Sequence, residues 1–178
     1  RGLGDVYKRQ LVRISLFHYL FGYIHPFYDG NGRTSRFISS YLLSQELDNL
    51  IGYRISYTIK ENIGKYYKAF DTCNHPLNKG DLTPFAEMFL NIIDISIKQL
   101  LSALEKRVSE LEHFKSLLEQ MLSDETERVK SLYFILVQAA LFSNVGITAQ
   151  ELSGYLDISP NTLRTCLLYT SDAADDSL

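Results

Sequence analysis

The stretch of residues 23–37, YIHPFYDGNGRTSRF, places a histidine, an aspartate and two arginines within one short window. His25 stands before a rigid proline, and histidine is the side chain that most often serves as a general base at neutral pH. Asp29 offers hard carboxylate oxygens, and one carboxylate together with substrate phosphates is a usual way of holding Mg²⁺. These two residues therefore suit a reaction at a phosphate group.

The residues that follow this carboxylate have the pattern of an anion-binding turn at the start of a helix. Gly30, Asn31 and Gly32 let the backbone turn sharply and bring amide groups close to an anion. Arg33 begins a predicted helix, whose first amides and partial positive charge favour phosphate. Arg36 lies three residues further, so that both guanidinium groups can lean toward one helix end and bind phosphate oxygens as forks. With a base and a metal ligand beside it, this pattern predicts a phosphate-transfer site.

Each of these residues also has an ordinary interpretation when it is taken alone. Gly-Asn-Gly is often only a turn, a histidine after a helix is often a packing or surface residue, and both arginines could be solvated. Their occurrence in one window favours the site, since each ordinary interpretation would have to hold independently. Phe27 is expected to point away from the site, into the core, and to anchor the loop.

Helical spacing of apolar residues predicts the elements that position this window. The first helix should end at His25, because a residue before proline avoids the helical region. Gly52 and the asparagines near it read as helix breakers. The predicted elements are a helix over 11–24, a loop over 27–32, a helix over 33–47, a connection over 47–56, a helix over 59–70 and a loop over 73–81.

A long helix is predicted to follow, with Thr83 as its N-cap and Pro84 at its first helical position. Apolar residues recur along it at spacings of three and four, interrupted by Lys115, as in a coiled-coil seam. They are Ile97, Leu101, Leu104, Val108, Leu111, Leu118 and Leu122. An amphipathic helix that packs within the chain explains the same spacing, and both interpretations stay open.

In the last part of the chain, the sequence pattern predicts a pair of short helices. Thr148 and Glu151 form a capping box, in which each side chain binds a free amide of the other residue. Ser159-Pro160 caps the second helix, and two short helices joined by a tight turn indicate a helix-turn-helix. The residues expected on the buried face of the first are Leu152, Tyr155 and Leu156. An apolar helix over 129–142 precedes the pair, with Ser123-Asp124 as its expected cap. No strand pattern is present, so the predicted fold class is all-α.

Composition limits the class of protein. The chain has 178 residues, 46% of them hydrophobic, so that one or two domains with a packed core are expected. The net charge of −3 does not indicate nucleic acid or an anionic membrane. The sequence has no signal peptide and no apolar run long enough to cross a membrane, and its two cysteines have no metal or redox spacing. We expect a cytoplasmic protein that does not bind membranes.

Both ends of the chain differ in character from its middle. GDVYKRQ near the start and CLLYTSDAADD near the end resemble translations of transposase-type sequencing adapters, and they are excluded from the fold prediction. A natural amphipathic start and a natural acidic tail are the alternative, which two matches at opposite ends disfavour. The expected domains are an adapter-derived stretch over 1–10, a core over 11–104 without its N-terminal part, a helical linker over 105–123, a truncated helix-turn-helix module of winged-helix type over 124–165, and an adapter-derived stretch over 166–178.

The window HPFYDGNGRTSR resembles the signature of the Fic (Fic/Doc) family, His-x-Phe-x-Asp/Glu-Gly-Asn-Gly-x-x-x-Arg with an arginine after the second glycine. The segments ISYTIKENIGKYYKAF and GDLTPFAEMFL are also similar to the family, so that the resemblance covers about residues 11–104. It implies a Fic-type helical core, to which a helix-turn-helix is commonly appended. It also implies protein adenylylation, which is transfer of AMP from ATP to a Ser, Thr or Tyr hydroxyl of a target protein.

The resemblance implies a role for each matching position. His25 would deprotonate the acceptor hydroxyl, and Asp29 would hold Mg²⁺ on the α- and β-phosphates of ATP. Arg33 would bind the leaving phosphates, and Arg36 the γ-phosphate. The residues that would line the anion nest are Gly30, Asn31 and Gly32.

The resemblance also bears on the base of the nucleotide and on the group that is transferred. The downstream tyrosine and asparagine that hold adenine in the family would be Tyr67 and Asn74, with ordinary helix packing as the alternative. Kinase-type members replace the Gly-Asn-Gly-Arg stretch with a lysine-bearing one, so its presence here favours nucleotide transfer over γ-phosphate transfer. Transfer of a uridylyl or phosphocholine group by a Fic relative stays open.

In an alternative interpretation, the chain is a transcriptional regulator or a toxin–antitoxin component whose helix-turn-helix is the functional module. Asn161, Thr162 and Arg164 could then face DNA. The surrounding region lacks the basic patch that phosphate contacts require, so the module could instead mediate formation of a homodimer.

The family's inhibitory helix, with its Ser/Thr-x-x-x-Glu-Gly/Asn pattern, does not occur within residues 11–165. Ser123 and Glu127 have the spacing, but Arg128 follows them. Any inhibitory helix and the target-docking hairpin are therefore expected upstream, and the chain as written is expected to modify targets poorly.

Overall fold

The computed structural model describes residues 3–175 of the chain, and the side chains of residues 9–167 among them. The described residues form helices and no strand, which confirms the predicted all-α class. They divide into two compact units, Arg1–Ser102 and Ala103–Leu178. The helices are α1 (Leu3–Ile24), α2 (Asn31–Glu46), α3 (Asn49–Glu61), α4 (Ile63–Asn74), α5 (Thr83–Met121), α6 (Glu127–Phe142), α7 (Ala149–Tyr155) and α8 (Pro160–Asp175), with a 3-10 turn at Pro76–Asn78 before α5.

The first unit has a core of aliphatic and aromatic side chains from α1 to α5. Leu43, Ile55, Phe85 and Phe89 are fully buried in it. The rings meet in edge-to-face, tilted and stacked arrangements, and the centroids of Phe70 and Phe85 lie 4.6 Å apart, edge to face. This core holds α1 and α2, the two helices on either side of the motif window, against α4 and α5.

The predicted connection over 47–56 is wrong, because helix α3 begins within it. Asp48 caps α3 by accepting a hydrogen bond from the backbone amide of Leu50 at 2.8 Å. Gly52 is buried, and a Cβ atom at this position would lie 2.7 Å from the Ser40 carbonyl oxygen. This glycine therefore allows two helix backbones to approach each other and does not break a helix.

The predicted single helix over 59–70 is also wrong, because Asn62 separates α3 from α4. The Asn62 backbone amide donates to the carbonyl oxygens of Thr58 and Ile59, and its side-chain amide donates to that of Thr58. An asparagine amide competes in this way for backbone acceptors and favours the end of a helix. The predicted loop over 73–81 is shorter than expected, since Cys73 and Asn74 belong to α4.

Helix α5 begins where predicted, but its first amides have a different cap. Asp81, and not Thr83, accepts a hydrogen bond from a backbone amide there, that of Thr83 at 2.9 Å. Hydrogen bonds from the side chain and the backbone of Thr83 lower the pKa of Asp81. The predicted cap at Ser123-Asp124 is wrong in the same sense, because Thr126 caps α6.

The apolar seam of α5 has different surroundings along its length. Ile97 packs against the core of the first unit. Leu101 and Val108 are 52% and 48% exposed. Leu118 lines a cleft with residues of α6, in the second unit. Packing within the chain thus accounts for both ends of the seam, and a coiled coil remains a prediction for its middle.

The second unit has a small core of its own, in which Leu132, Leu152 and Leu163 are buried. The predicted capping box of Thr148 and Glu151 is confirmed. Tyr155 was expected on the buried face of α7, but it is 74% exposed, and Ser153 is buried instead. Helices α7 and α8 contact each other across a short turn, and their assignment as a DNA-binding helix-turn-helix stays a prediction.

None of the described helices is both long and apolar enough to span a bilayer. Most of the two stretches with adapter-like sequence lies in α1 and α8. Residues 1–2 and 176–178 of those stretches lie outside the described part of the chain.

Candidate active site

His25 occupies the first position after α1, where the chain turns sharply. Its backbone has φ 52°, in the left-handed region that often closes a helix, and its amide donates to the Phe21 carbonyl oxygen at 3.1 Å. The ring nitrogen Nδ1 lies 3.0 Å from the Gly22 carbonyl oxygen. Since a carbonyl oxygen only accepts, Nδ1 carries the proton in this hydrogen bond, and Nε2 of the neutral ring has a lone pair for a substrate proton.

Contact with α4 fixes the end of α1 that carries this histidine. A Cβ atom added at Gly22 would lie 2.9 Å from the ring of Phe70 on α4. The glycine therefore permits the close approach of the two helices, one turn before His25. No local pattern in the sequence marks Gly22, because its partner lies far along the chain.

Asn31 holds the loop between α1 and α2 in place. Its side chain is buried, Oδ1 accepts from the Phe27 backbone amide at 2.9 Å, and Nδ2 donates to the Phe27 carbonyl oxygen. The predicted role of Phe27 as a core anchor is wrong, because its side chain is 52% exposed and its ring contacts that of Phe21 at 6.0 Å. The loop is instead anchored by the hydrogen bonds between the Asn31 side chain and the Phe27 backbone.

Helix α2 begins inside the predicted loop, at Asn31, and its N-terminus is open. Gly30 is the N-cap, with φ 81°, a conformation that glycine adopts without strain. It provides no side-chain cap, and the first turn of α2 contains no acidic residue. The Gly30 carbonyl oxygen accepts from the Thr34 amide at 2.9 Å. The amides of the first turn therefore face a region where an anion would be stabilised.

Both arginines of the motif fold back over this open end. A Cβ atom at Gly30 would lie 3.8 Å from Nη2 of Arg33, and one at Gly32 would lie 3.3 Å from Nη1 of Arg36. The two guanidinium groups thus lie over the two glycines, as expected from their spacing. The structure brings the predicted amide nest and both predicted cations together.

Asp29 lies at the same end, and both of its carboxylate oxygens have partners. Oδ1 accepts from the Gly30 amide at 2.6 Å, and Oδ2 accepts from Nη2 of Arg33 at 3.2 Å. This ion pair is exposed, with side chains 84% and 76% accessible, so it contributes little to stability. A phosphate could replace the carboxylate as the partner of Arg33.

The side chains at this end could bind Mg²⁺ only together with the phosphates of a nucleotide. The described residues contain no group of three or more His, Cys, Asp or Glu side chains that could hold a metal ion by themselves. Asp29 supplies one carboxylate, and substrate phosphates would have to supply further oxygens. The site therefore suits a metal ion that arrives with a nucleotide.

A groove of about 580 Å³ extends from the two arginines between α2 and α3. Exposed aromatic side chains of Phe37, Tyr41 and Tyr53 line it. His25 and Asp29 do not line it. The predicted base and the predicted metal ligand therefore lie outside the groove.

The remaining predicted site residues lie on other helices. Tyr67, on α4, is 60% exposed and contacts the ring of Tyr66. Asn74, at the end of α4, accepts a hydrogen bond at Oδ1 from the Tyr19 hydroxyl at 2.6 Å. These contacts do not join them to the motif window, so their role in binding adenine stays a prediction.

The three residues predicted to face DNA lie in the first turns of α8. Asn161 and Arg164 are exposed, whereas the Thr162 hydroxyl is within 2.8 Å of the Ser159 hydroxyl, at the cap of the helix. Thr162 is thus engaged in capping, and DNA binding by the other two stays a prediction.

One buried histidine lies outside the predicted site. His18 is fully buried, with Nδ1 2.8 Å from the Ser39 hydroxyl oxygen and Nε2 2.8 Å from the Tyr66 hydroxyl oxygen. The sequence shows only a histidine on the apolar face of a predicted helix, which is more often an ordinary core residue. Its two partners lie on other helices and could not be inferred from spacing.

Comparison with known proteins agrees with the motif. The profile described as the Fic/DOC family matches residues 5–43, which include the whole window from His25 to Arg36. Proteins named Protein adenylyltransferase Fic, from Aedes aegypti and Culex quinquefasciatus, are 35% identical to this chain over 103 residues, or 58% of the chain and 18% of each relative. The protein of the same name from Drosophila melanogaster is 31% identical over 118 residues, or 66% of the chain and 21% of the relative.

The chain spans about a fifth of the length of these curated relatives. No solved structure matches it.

Proposed function

We propose that this chain, whose residues 5–43 match the Fic/DOC family profile, is a Fic-type protein that transfers AMP from ATP to a Ser, Thr or Tyr hydroxyl of a target protein. The observation that carries this proposal is the arrangement at the start of α2. His25 lies at the end of α1, where its Nδ1 donates to the Gly22 carbonyl oxygen, and a short loop joins it to the N-terminus of α2, over which two guanidinium groups lie. We take His25 as the base and this helix end as the triphosphate-binding site.

The reaction has a simple proton balance in this arrangement. Nε2 of His25 accepts the proton of the target hydroxyl as its oxygen attacks the α-phosphorus of ATP. The new bond joins that oxygen to phosphorus, the bond between the α-phosphorus and the bridging oxygen breaks, and pyrophosphate leaves. The imidazolium ring then releases its proton to water or to the leaving group. The Gly22 carbonyl oxygen keeps the ring oriented through Nδ1 in both states.

The binding groups are placed for the charge that the leaving group develops. The amides of the first turn of α2 and the guanidinium of Arg33 bind the departing phosphates, and Arg36 binds the γ-phosphate. Asp29 would hold Mg²⁺ together with the phosphates, where the ion would supply charge neutralisation. Positioning and electrostatic stabilisation account for most of the catalysis in phosphoryl-type transfers.

The Gly-Asn-Gly-Arg stretch favours nucleotide transfer over phosphate transfer. A lysine-bearing replacement is typical of the kinase-type relatives, whereas Gly32 here leaves room for the Arg36 guanidinium, 3.3 Å from where a Cβ atom would lie. A larger residue at this position would therefore require the guanidinium to shift. The identity of the transferred group is therefore the first property to test.

The test uses the protein, ATP labelled at the α- or the γ-phosphate, Mg²⁺ and a cell lysate. Label from the α-phosphate is expected on protein, and His25→Ala should reduce its transfer by at least about 100-fold, the usual contribution of a general base. His113→Ala, which removes an exposed histidine on α5, is the matched control and should leave transfer unchanged.

Three results would contradict the proposal. Label that reaches protein from the γ-phosphate alone would indicate a kinase. Transfer that persists in His25→Ala would exclude this residue as the base. Labelling of protein by a uridylyl or phosphocholine donor, but not by ATP, would change the substrate class.

A further inference from the structure

The buried imidazole of His18 has no place in the chemistry described so far. It lies near the middle of α1, two turns before His25, with none of its surface exposed. Each ring nitrogen is 2.8 Å from a hydroxyl oxygen of another helix, Nδ1 from that of Ser39 and Nε2 from that of Tyr66. A buried polar ring with both nitrogens satisfied at short distance fixes the relative position of its partners.

The two partners belong to the two helices that carry the nucleotide-binding residues. Ser39 lies on α2, about one turn after Arg36. Tyr66 lies on α4, directly before Tyr67, and the two tyrosine rings are 5.5 Å apart. His18 thus connects the helix of the phosphate-binding arginines with the helix of the predicted adenine-binding tyrosine.

The surroundings leave the imidazole ring little freedom. The ring of Phe89 lies 4.8 Å from it, and that of Phe85 lies 6.1 Å away in a stacked arrangement. Both phenylalanines are fully buried. Aromatic packing holds the faces of the ring, and two hydroxyls hold its edge. The ring therefore fixes the distance between the helices that carry those hydroxyls.

Charge also couples this histidine to the phosphate-binding side. Burial, and then the positive charge of Arg36, lower the pKa of His18 to about 4, so the ring is neutral at physiological pH. A neutral ring offers one donor and one acceptor, and the Ser39 and Tyr66 hydroxyls can each take either role. Because His18 is neutral, it does not repel the Arg36 guanidinium, whose positive charge can then bind a phosphate.

We propose that His18 is a positioning residue, which sets the spacing between the phosphate-binding side of the nucleotide site on α2 and its base-binding side on α4. The proposal rests on the proposed function, because it takes Arg33 and Arg36 as phosphate ligands and Tyr67 as an adenine ligand. The His18 side chain does not touch the nucleotide. It affects the distance between the arginines on α2 and Tyr67 on α4.

The experiment compares two probes that differ in what they contact. Magnesium ATP spans both sides of the site, whereas magnesium tripolyphosphate can occupy the phosphate side alone. Ser39→Ala breaks the hydrogen bond to α2, and Tyr66→Phe breaks that to α4 while it retains the ring. Dissociation constants of both probes are measured by calorimetry for the wild-type chain and for each variant.

A matched control is available within the same unit. Ser96 on α5 is also fully buried, but its hydroxyl donates to the Ile92 carbonyl oxygen of its own helix. Ser96→Ala removes a buried hydroxyl without touching a contact between helices. Thermal unfolding of all variants verifies that each is folded at the temperature of the binding measurement.

Ser39→Ala and Tyr66→Phe are each expected to weaken ATP binding about fivefold, the equivalent of about one hydrogen bond, with tripolyphosphate binding changed less than about twofold. Ser96→Ala should change neither. Equal weakening of both probes, or no weakening of ATP binding in folded variants, would overturn the positioning role. A wild-type chain that does not bind ATP would contradict the proposed function itself, and that failure is visible without any variant.

Discussion

At the scale of single residues, the motif contains side chains that are proposed to meet a substrate and side chains that hold the backbone. The guanidinium groups of Arg33 and Arg36 lie over the first residues of α2, and Nδ1 of His25 donates to the Gly22 carbonyl oxygen at the end of α1. Asn31 instead turns inward and binds both backbone groups of Phe27. A buried amide with both of its polar atoms satisfied stabilises one loop conformation, and its loss would leave two buried groups unpaired. The Asn31 side chain therefore stabilises the loop that precedes α2.

The buried His18 makes a prediction about pH at the same scale. Its pKa is lowered to about 4 in the folded chain, against an ordinary value of 6.5, so the unfolded chain binds more protons between these two values. Stability should therefore rise with pH across the window from about 4 to 6.5. The contribution of His18 over that window should be about 3 kcal/mol.

Urea unfolding of the first unit at pH 4, 5, 6 and 7 measures this contribution, with His18→Gln as the variant that cannot titrate. The carboxylates and the other histidines affect both proteins equally. The difference between the pH slopes of the two proteins therefore isolates His18. Parallel pH profiles for the two proteins would show that His18 does not titrate in this window.

At the scale of elements, glycines decide how closely the helices of the first unit approach. Gly22 allows α1 to meet Phe70 of α4, and Gly52 allows α3 to meet α2. At Gly52, a Cβ atom would lie 2.7 Å from the Ser40 carbonyl oxygen and 2.8 Å from the Ser44 Cβ atom. Because Arg36 lies on α2, the packing of this helix pair also affects the position of the arginine that is proposed to bind the γ-phosphate.

Gly52→Ala is accordingly expected to force α2 and α3 apart and to destabilise the first unit by about 1–3 kcal/mol. Gly64 on α4 provides the control, since an added Cβ atom would meet nothing within 4 Å. Gly64→Ala should stabilise the helix by up to about 1 kcal/mol. Denaturant unfolding measures both changes, and a destabilisation of equal size in the two variants would refute the steric explanation.

At the scale of the whole molecule, the two units have separate cores. The core of the first unit contains Phe85 and Phe89, and that of the second contains Leu132, Leu152 and Leu163. The groups proposed for the reaction belong to the first unit. Damage to the second core is therefore not expected to reach the nucleotide site.

Leu132→Ala should destabilise the second unit by about 2–5 kcal/mol, since Leu132 is almost fully buried. Hydrogen exchange of peptides from α6 and α7 should accelerate, while exchange in α1 and α4 and the affinity for ATP stay unchanged. Accelerated exchange in α1, or a loss of ATP affinity, would demonstrate that the units depend on each other.

The sequence by itself determined the features that depend on residues close together in the chain. The roles of His25, Asp29, Arg33 and Arg36 were inferred from a window of twelve residues, and the capping box of Thr148 and Glu151 from one helical turn. Apolar periodicity was sufficient for the all-α class, because a helix shows its buried face within two or three turns. The end of α1 at His25 followed from the proline after it.

Only the tertiary structure decided the features that depend on partners distant in the sequence. Gly52 read as a helix breaker until the Ser40 backbone was found against it. Ser39 and Tyr66 lie 21 and 48 residues from His18, and no local pattern encodes those distances. Local spacing reports which face of a helix is apolar, whereas the hydrogen-bonding partner of a buried polar group depends on how the helices pack. For that reason the motif could be read from the chain, and the histidine proposed to position its ligands could not.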